Sequence, residues 1–211
     1  MELIIAANDG DIIRVRELLD AGINPNITDY DGDTPLVYAS EEGYTEIVKL
    51  LLDSGADADP NLQEQGRYTP LIVSSDNDYD IVKLLLENGA DPNIQNHEGY
   101  TPLIWATIMG CNDIVKLLLE NGADPNISDR WGDTAYDLAI LGGQFNIAKL
   151  LKYYMMMYKI QRRRRRNLTY RKKRTQLAYK NLALSKLFDT YDVDEPLTRH
   201  MRRETIRSIF G

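Results

Sequence analysis

Leu84-Leu85-Leu86-Glu87-Asn88-Gly89-Ala90-Asp91-Pro92-Asn93 recurs without a change at Leu117–Asn126, 33 residues further along the chain. Looser copies stand upstream at Leu18–Asn26 and Leu50–Asn61. A period of this size marks a stack of one supersecondary unit, each copy too small to bury its own apolar face. Such stacks present surfaces and rarely enclose chemistry.

Working outward, each unit opens on a threonine: Thr34, Thr69, Thr101 and Thr134, spaced by 35, 32 and 33 residues. The long spacing comes from an extra Ala-Asp pair between Gly55 and Asn61. The short one comes from Ser74–Asp78, which lacks the glycine present at Gly43, Gly110 and Gly143. Both are loop edits that keep the helices in register. Thr34-Pro35, Thr69-Pro70 and Thr101-Pro102 each read as an N-cap hydroxyl followed by proline at the first helical position. A short helix such as Leu36–Glu42 follows, then a second helix carrying Ile47, Val48, Leu50, Leu51 and Leu52. Gly22, Gly55, Gly89 and Gly122 stop that second helix in a left-handed conformation. Asp-Pro-Asn and Asp-Gly or Glu-Gly pairs make the outgoing turn.

The runs Asp31–Leu36, Glu98–Leu103, Ile81–Leu86, Ile114–Leu119, Asn88–Asn93 and Asn121–Asn126 resemble the ankyrin repeat, as found in short ankyrin-repeat proteins of large DNA viruses. The resemblance implies an all-α solenoid of about five helix-turn-helix repeats with hairpin loops over residues 1–154. Its units fall near 1–27, 28–61, 62–93, 94–126 and 127–152, the first and last acting as caps. Residues 155–211 form a basic, helical C-terminal extension. Two departures stand out. The family's histidine after Thr-Pro-Leu, which bonds between repeats, is replaced by Val37, Ile72, Ile104 and Asp137, so that cross-link is expected to be missing. Arg67 occupies the turn-glycine position, which singles out the junction between the second and third units.

The charge is split. Residues 1–154 hold 9 Lys/Arg and 27 Asp/Glu, a net of −18, whereas residues 155–211 hold 16 and 5, a net of +11. Asymmetry of this kind points to two separate tasks or to mutual attraction, with the tail folding back over the repeats. The lone Cys111 excludes an internal disulfide framework and suits a reducing, intracellular setting, cytoplasmic or nuclear. No run approaches the roughly 18 apolar residues that span a bilayer, and Met1-Glu2-Leu3 lacks the basic start of a secretion signal.

In the tail, Lys152–Ile160 reads as a helix continuing and capping the last repeat, the rival reading being a basic amphipathic helix at a membrane surface. Arg162, Arg163, Arg164, Arg165 and Arg166, then Arg171, Lys172, Lys173 and Arg174, form two basic clusters. They fit the solvated side of a helix, a nuclear-import signal read by an import receptor, or a polyanion-binding patch for nucleic acid. Leu177, Leu184, Leu187, Phe188 and Tyr191 share one helical face. Glu195-Pro196-Leu197 opens a further short helix, faintly similar to the F-box-like ends by which viral ankyrin proteins recruit ubiquitin-ligase machinery.

Catalysis is not expected. Cys111 begins a second helix and His97 lies in the outgoing loop at the opposite end of its repeat, so they cannot form a nucleophile–base pair. The single cysteine and two histidines are too scattered for a closed zinc site. No enzyme activity, metal or cofactor is implied.

The resemblance places partner contacts on the loop tips and on the exposed face of each first helix, the concave side. The loop set is Tyr30, Asp31 and Asp33; Gln63, Gln65 and Tyr68; His97, Glu98 and Tyr100; Arg130, Trp131 and Asp133. The helix set is Glu41, Glu42, Asp76, Asn77, Ile108, Met109 and Leu141. Tyr30, Tyr68, Tyr100 and Trp131 are aromatics beyond what the stack needs for packing, and such residues anchor interfaces. The expected function is therefore a monomeric, non-enzymatic scaffold or adaptor for a protein partner of basic or mixed charge. The alternatives are a nucleus- or nucleic-acid-associated protein acting through its basic tail, or a ubiquitin-ligase adaptor acting through a degenerate F-box-like C-terminus.

Overall fold

The computed structural model describes residues 1–53, 58–63 and 67–160. Expectations that fall on Gly55, Gln65 or the chain beyond residue 160 lie outside them, the basic clusters and the F-box-like segment included. Met1–Tyr158 make one compact unit; of the second, Lys159–Gly211, only residues 159 and 160 are described.

Helices come in pairs. They are α1 (Glu2–Asn8) and α2 (Ile12–Asp20), α3 (Pro35–Glu41) and α4 (Thr45–Leu52), then α5 (Pro70–Ser74) and α6 (Tyr79–Glu87). The series continues with α7 (Pro102–Met109) and α8 (Asn112–Glu120), then α9 (Ala135–Leu141) and α10, residues 145–160. First helices pack on first helices, α1 on α3, α3 on α5, α5 on α7 and α7 on α9. The second helices α2, α4, α6 and α8 form a parallel layer in the same order. Among the described residues there is no strand, only an isolated bridge between Ser128 and Thr134 at a loop base.

Local chemistry sets these bounds. The hydroxyls of Thr34, Thr69 and Thr101 accept the amides of Val37, Ile72 and Ile104 at 3.2, 3.3 and 3.2 Å, with proline opening each helix. Thr134 lacks the proline and uses a capping box instead, its hydroxyl accepting from the Asp137 amide while Asp137 accepts from the Thr134 amide at 3.0 Å. Gly22, Gly89 and Gly122 hold φ values of 78°, 86° and 93°, as the stop signals require. Where Ser74–Asp78 lacks the counterpart of Gly43, Gly110 and Gly143, α5 is the shortest helix described, at five residues.

Equivalent positions fill the core. Leu36, Leu71 and Leu103 under the first helices, and Leu51, Leu85, Leu118 and Leu151 under the second, are all essentially buried. Each contributes about 1.5–3 kcal/mol relative to exposure. Ala39, Ser74, Ala106 and Ala139 are fully buried where adjacent first helices approach closely.

The missing histidine cross-link is replaced in two ways. Val37, Ile72 and Ile104 join the apolar core. The polar link moves to the asparagine that follows the turn proline, in Asn24-Pro25-Asn26, Asp59-Pro60-Asn61 and Asp91-Pro92-Asn93. Asn26 accepts the Asp59 amide, Asn61 the Asp91 amide and Asn93 the Asp124 amide, each at 2.7 Å. Asn61 and Asn93 also donate to the Gly89 and Gly122 carbonyls of the next unit, at 3.0 and 3.3 Å. Helix α10 runs unbroken through residue 160, so Lys152–Ile160 prolongs the last repeat's second helix.

Candidate protein-binding face

Three outgoing loops are built around a buried or half-buried acceptor five residues before Thr34, Thr101 and Thr134. Asp29 accepts the amides of Asp31 and Asp33 at 2.9 and 3.0 Å. Asn96 does the same for Glu98 and Tyr100 at 3.0 and 2.9 Å, and Asp129 for Trp131 and Asp133, both at 2.9 Å. These side chains preorganise the tips that carry the aromatics. Asp29, Asn96 and Asp129 were not among the expected functional residues, although their fixed offset from Thr34, Thr101 and Thr134 was visible in the repeat.

The aromatics form a ladder. Tyr68 meets Trp105 edge to face at 5.8 Å, Trp105 lies 5.9 Å from Tyr100, and Tyr100 lies 6.0 Å from Trp131. The Arg130 guanidinium closes the end, 4.2 Å from the Trp131 ring centre. The ladder thus crosses three consecutive units. Its inner rung Trp105, which joins Tyr68 to Tyr100, is a candidate that sequence reasoning missed. Trp105 stands four residues after Thr101, where the other units have Tyr38, Val73 and Leu138; a tryptophan at that offset was the available signal. Burial raises the Tyr68 and Tyr100 phenols above their ordinary value, with the Glu98 carboxylate adding to it.

Beside the ladder lies a groove of about 320 Å³, lined by Asp33, Val37, Glu41, Arg67, Tyr68, Val73, Asp76 and Trp105. Arg67 crosses the junction between the second and third units to pair with Asp31 at 2.7 Å and with Asp33 at 3.7 Å. Burial raises the Asp33 carboxyl, the nearby Arg67 charge only partly countering it. Glu41 and Asp76 form no ion pair with any described residue.

A three-copy ankyrin-repeat family model matches residues 3–96 and again 71–162. The chain belongs to the ankyrin-repeat family. It is 48% identical over 61 residues to the ankyrin repeat protein FPV222 of fowlpox virus, covering 29% of this chain and 8% of that one. It is 41% identical over 69 residues to the ankyrin repeat-containing protein P1E11.10 of Schizosaccharomyces pombe, 33% of this chain and 32% of that one. It is also 36% identical over 91 residues to serine/threonine-protein kinase 12 of Arabidopsis thaliana, covering 43% of this chain and 19% of the kinase. The chain spans a third or less of each relative's length. Ankyrin repeats are in general protein–protein interaction modules without catalytic activity.

On this ankyrin stack the expected contact residues fall into distinct places. Asp33, Glu41, Tyr68 and Asp76 converge on the groove, and Tyr68, Tyr100, Arg130 and Trp131 on the ladder. Tyr68 and Tyr100 are half-buried against their neighbours, whereas Trp131 is 57% exposed and Tyr30, at 97%, stands free at its loop tip. Asp31 is held by Arg67 at the groove's edge; Glu42, Asn77 and His97 are exposed, and Glu98 and Asp133 are half-buried in their loops. Gln63 is a loop strut, its amide donating to the Arg67 and Gln95 carbonyls. Ile108, Met109 and Leu141 are exposed at the far ends of α7 and α9 and do not line the groove. Cys111 stands at the N-cap position of α8 without a side-chain cap bond, and its thiol donates to the Asp76 carbonyl at 2.7 Å while burial raises its pKa. No group of three or more metal-ligating side chains occurs among the described residues, nor any helix long and apolar enough to cross a membrane.

Proposed function

We propose that the chain is a non-enzymatic adaptor that captures a protein partner on the loop tips and first-helix face of its ankyrin stack. The aromatic ladder from Tyr68 through Trp105 and Tyr100 to Trp131 carries this reading. Four rings are joined across three units, Tyr100 also packing against the core, and half-exposed aromatics flanked by an arginine have the composition of interface hot spots. The acidic surroundings favour a partner of basic or mixed charge. Asp31, Asp33, Glu41, Glu42 and Asp76 flank one end of the ladder, and Glu98 and Asp133 its middle and far end.

Affinity capture with the full-length chain tests the proposal. Trp131→Ala and Tyr100→Ala should each reduce recovery of bound protein by about tenfold, as loss of a hot-spot residue does. Trp131→Ala should leave the thermal unfolding temperature within about 2 °C of the parent, because an exposed ring contributes little to folding. Undiminished recovery in both variants would remove this face from consideration.

A second reading rests on the charge split. The run Arg162–Arg174 suits a nuclear-import receptor or nucleic acid, with 16 Lys/Arg in residues 155–211. Binding of labelled single-stranded DNA to the full chain should then weaken steeply with salt. It should also disappear when Arg162–Arg166 become glutamine and persist in Trp131→Ala.

A further inference from the structure

The groove beside the ladder holds more than a cluster of acids. Val37 is buried at its floor and Val73 half-buried, Tyr68 and Trp105 form an aromatic wall, and Glu41 and Asp76 line it without a cationic partner among the described residues. About 320 Å³ is the low end of ligand-pocket size, room for one long side chain and the peptide flanking it.

The molecule shows on either side what such a groove accepts. At the ladder's far end the Arg130 guanidinium lies 4.2 Å from the Trp131 ring centre. At the groove's near edge the Arg67 guanidinium meets Asp31 at 2.7 Å. Among the described residues, Trp131 has a guanidinium over it and Trp105 has none. A planar guanidinium can both stack on an indole and bond a carboxylate, which an ammonium cannot do equally well. Arg67 is already engaged by Asp31 and Asp33, so it leaves the charge of Glu41 and Asp76 uncompensated.

We propose that this groove is a subsite for an arginine side chain of the partner protein, its guanidinium against Trp105 and its charge met by Glu41 and Asp76. The subsite deepens the adaptor reading and rests on it for the partner's being a protein.

The test uses the full chain labelled with 5-fluorotryptophan, whose two tryptophans give two fluorine resonances. The probes are Nα-acetyl-arginine amide and its citrulline analogue, which has the same shape without the charge. The arginine probe should shift the Trp105 resonance to saturation and citrulline should not. In an E41Q/D76N double variant the apparent Kd should rise at least about fivefold, the effect of losing an accessible ion pair. An equal response to citrulline, a shift confined to Trp131, or an unchanged Kd in E41Q/D76N would each overturn the subsite. If the subsite fails while Trp131→Ala still reduces partner capture about tenfold, the adaptor reading stands without it. Loss of neither measurement's signal in its variants would remove both.

Discussion

The backbone amide of Arg130 donates to the Glu98 carbonyl at 3.0 Å, tying one loop tip to the next across a repeat boundary. The approach is so close that a β-carbon on Gly99 would lie 2.7 Å from the Arg130 nitrogen and 2.9 Å from the Asp129 carbonyl carbon. Gly99 also holds φ at +81°. The rungs Tyr100 and Trp131 are therefore registered by backbone as well as by ring contact.

Gly99→Ala is accordingly expected to be far costlier than the same change at Gly89. At Gly89, where φ is +86° and nothing lies within 4 Å, alanine should cost about 1 kcal/mol from backbone strain alone. At Gly99 the clash is with backbone that cannot swing away, and the total should exceed about 2 kcal/mol. Urea unfolding of both variants measures the difference; equal costs would show the loop contact to be soft.

Asn93 bonds the Asp124 amide and the Gly122 carbonyl of the following unit. Its counterpart Asn126 bonds only Asp124 in its own turn, through its amide and its side chain. Asn93→Ala should destabilise by about 1–2 kcal/mol, leaving a half-buried amide unpaired, and Asn126→Ala by about 0.5 kcal/mol. Hydrogen exchange supplies the specific readout. Protection of the Asp124 amide should fall in Asn93→Ala and persist in Asn126→Ala.

How much of this was legible follows from where the chemistry is local. The caps at Thr34, Thr69 and Thr101 and the left-handed Gly22, Gly89 and Gly122 are decided by neighbours a few residues away, and sequence reading places them correctly. The asparagine ladder was not legible in the same way. Asn61 reads as a turn residue, and its second role appears only when Gly89 and Asp91 are brought beside it. Trp105 was passed over for a related reason. A lone aromatic on a first helix reads as core until Tyr68 and Tyr100 are seen to flank it. Arg67 could be picked out as a departure from the repeat, but its partners Asp31 and Asp33 lie in the preceding unit.

The Tyr38 hydroxyl donates to Asp29 at 2.7 Å, and the pair fixes how this loop responds to pH. Burial works to raise Asp29, but the Tyr38 bond and the amides of Asp33, Asp31 and Gly32 together hold its carboxyl below the ordinary value. Stability from a depressed carboxyl is present above its unfolded value and is lost as pH falls through the folded one. Tyr38 moves the other way, pushed up to about 12 chiefly by the Asp29 bond. Its contribution is complete below the unfolded value of about 10 and is lost as pH rises toward the folded one. Tyr38→Phe should therefore bring acid unfolding on at higher pH and remove the alkaline loss of stability between those two values. Thermal unfolding followed across both ranges would show it, and parallel curves for parent and variant would contradict the pairing.

Arg67 and Asp33 make the opposite case. Burial raises the Asp33 carboxyl above its ordinary value even with Arg67 nearby, so its ionisation opposes folding. Its stabilising contribution is complete below the unfolded value and is lost as pH rises through the folded one. Arg67→Gln removes the compensating charge and should raise that folded value further. The variant should lose up to about 1 kcal/mol near neutrality, a modest figure because Arg67 remains partly open to solvent. The part of the loss that Asp33 carries should shrink as the pH falls toward about 4 and Asp33 becomes protonated, leaving the part carried by the Asp31 pair. Urea midpoints for parent and variant across that range decide the matter. A gap that is constant with pH would mean Arg67 acts through packing of its alkyl chain in the groove. A gap that widens toward acid would contradict the sign of the argument. The expected narrowing would make the groove's internal cation a measurable electrostatic element and show how its acidic lining responds to a guanidinium.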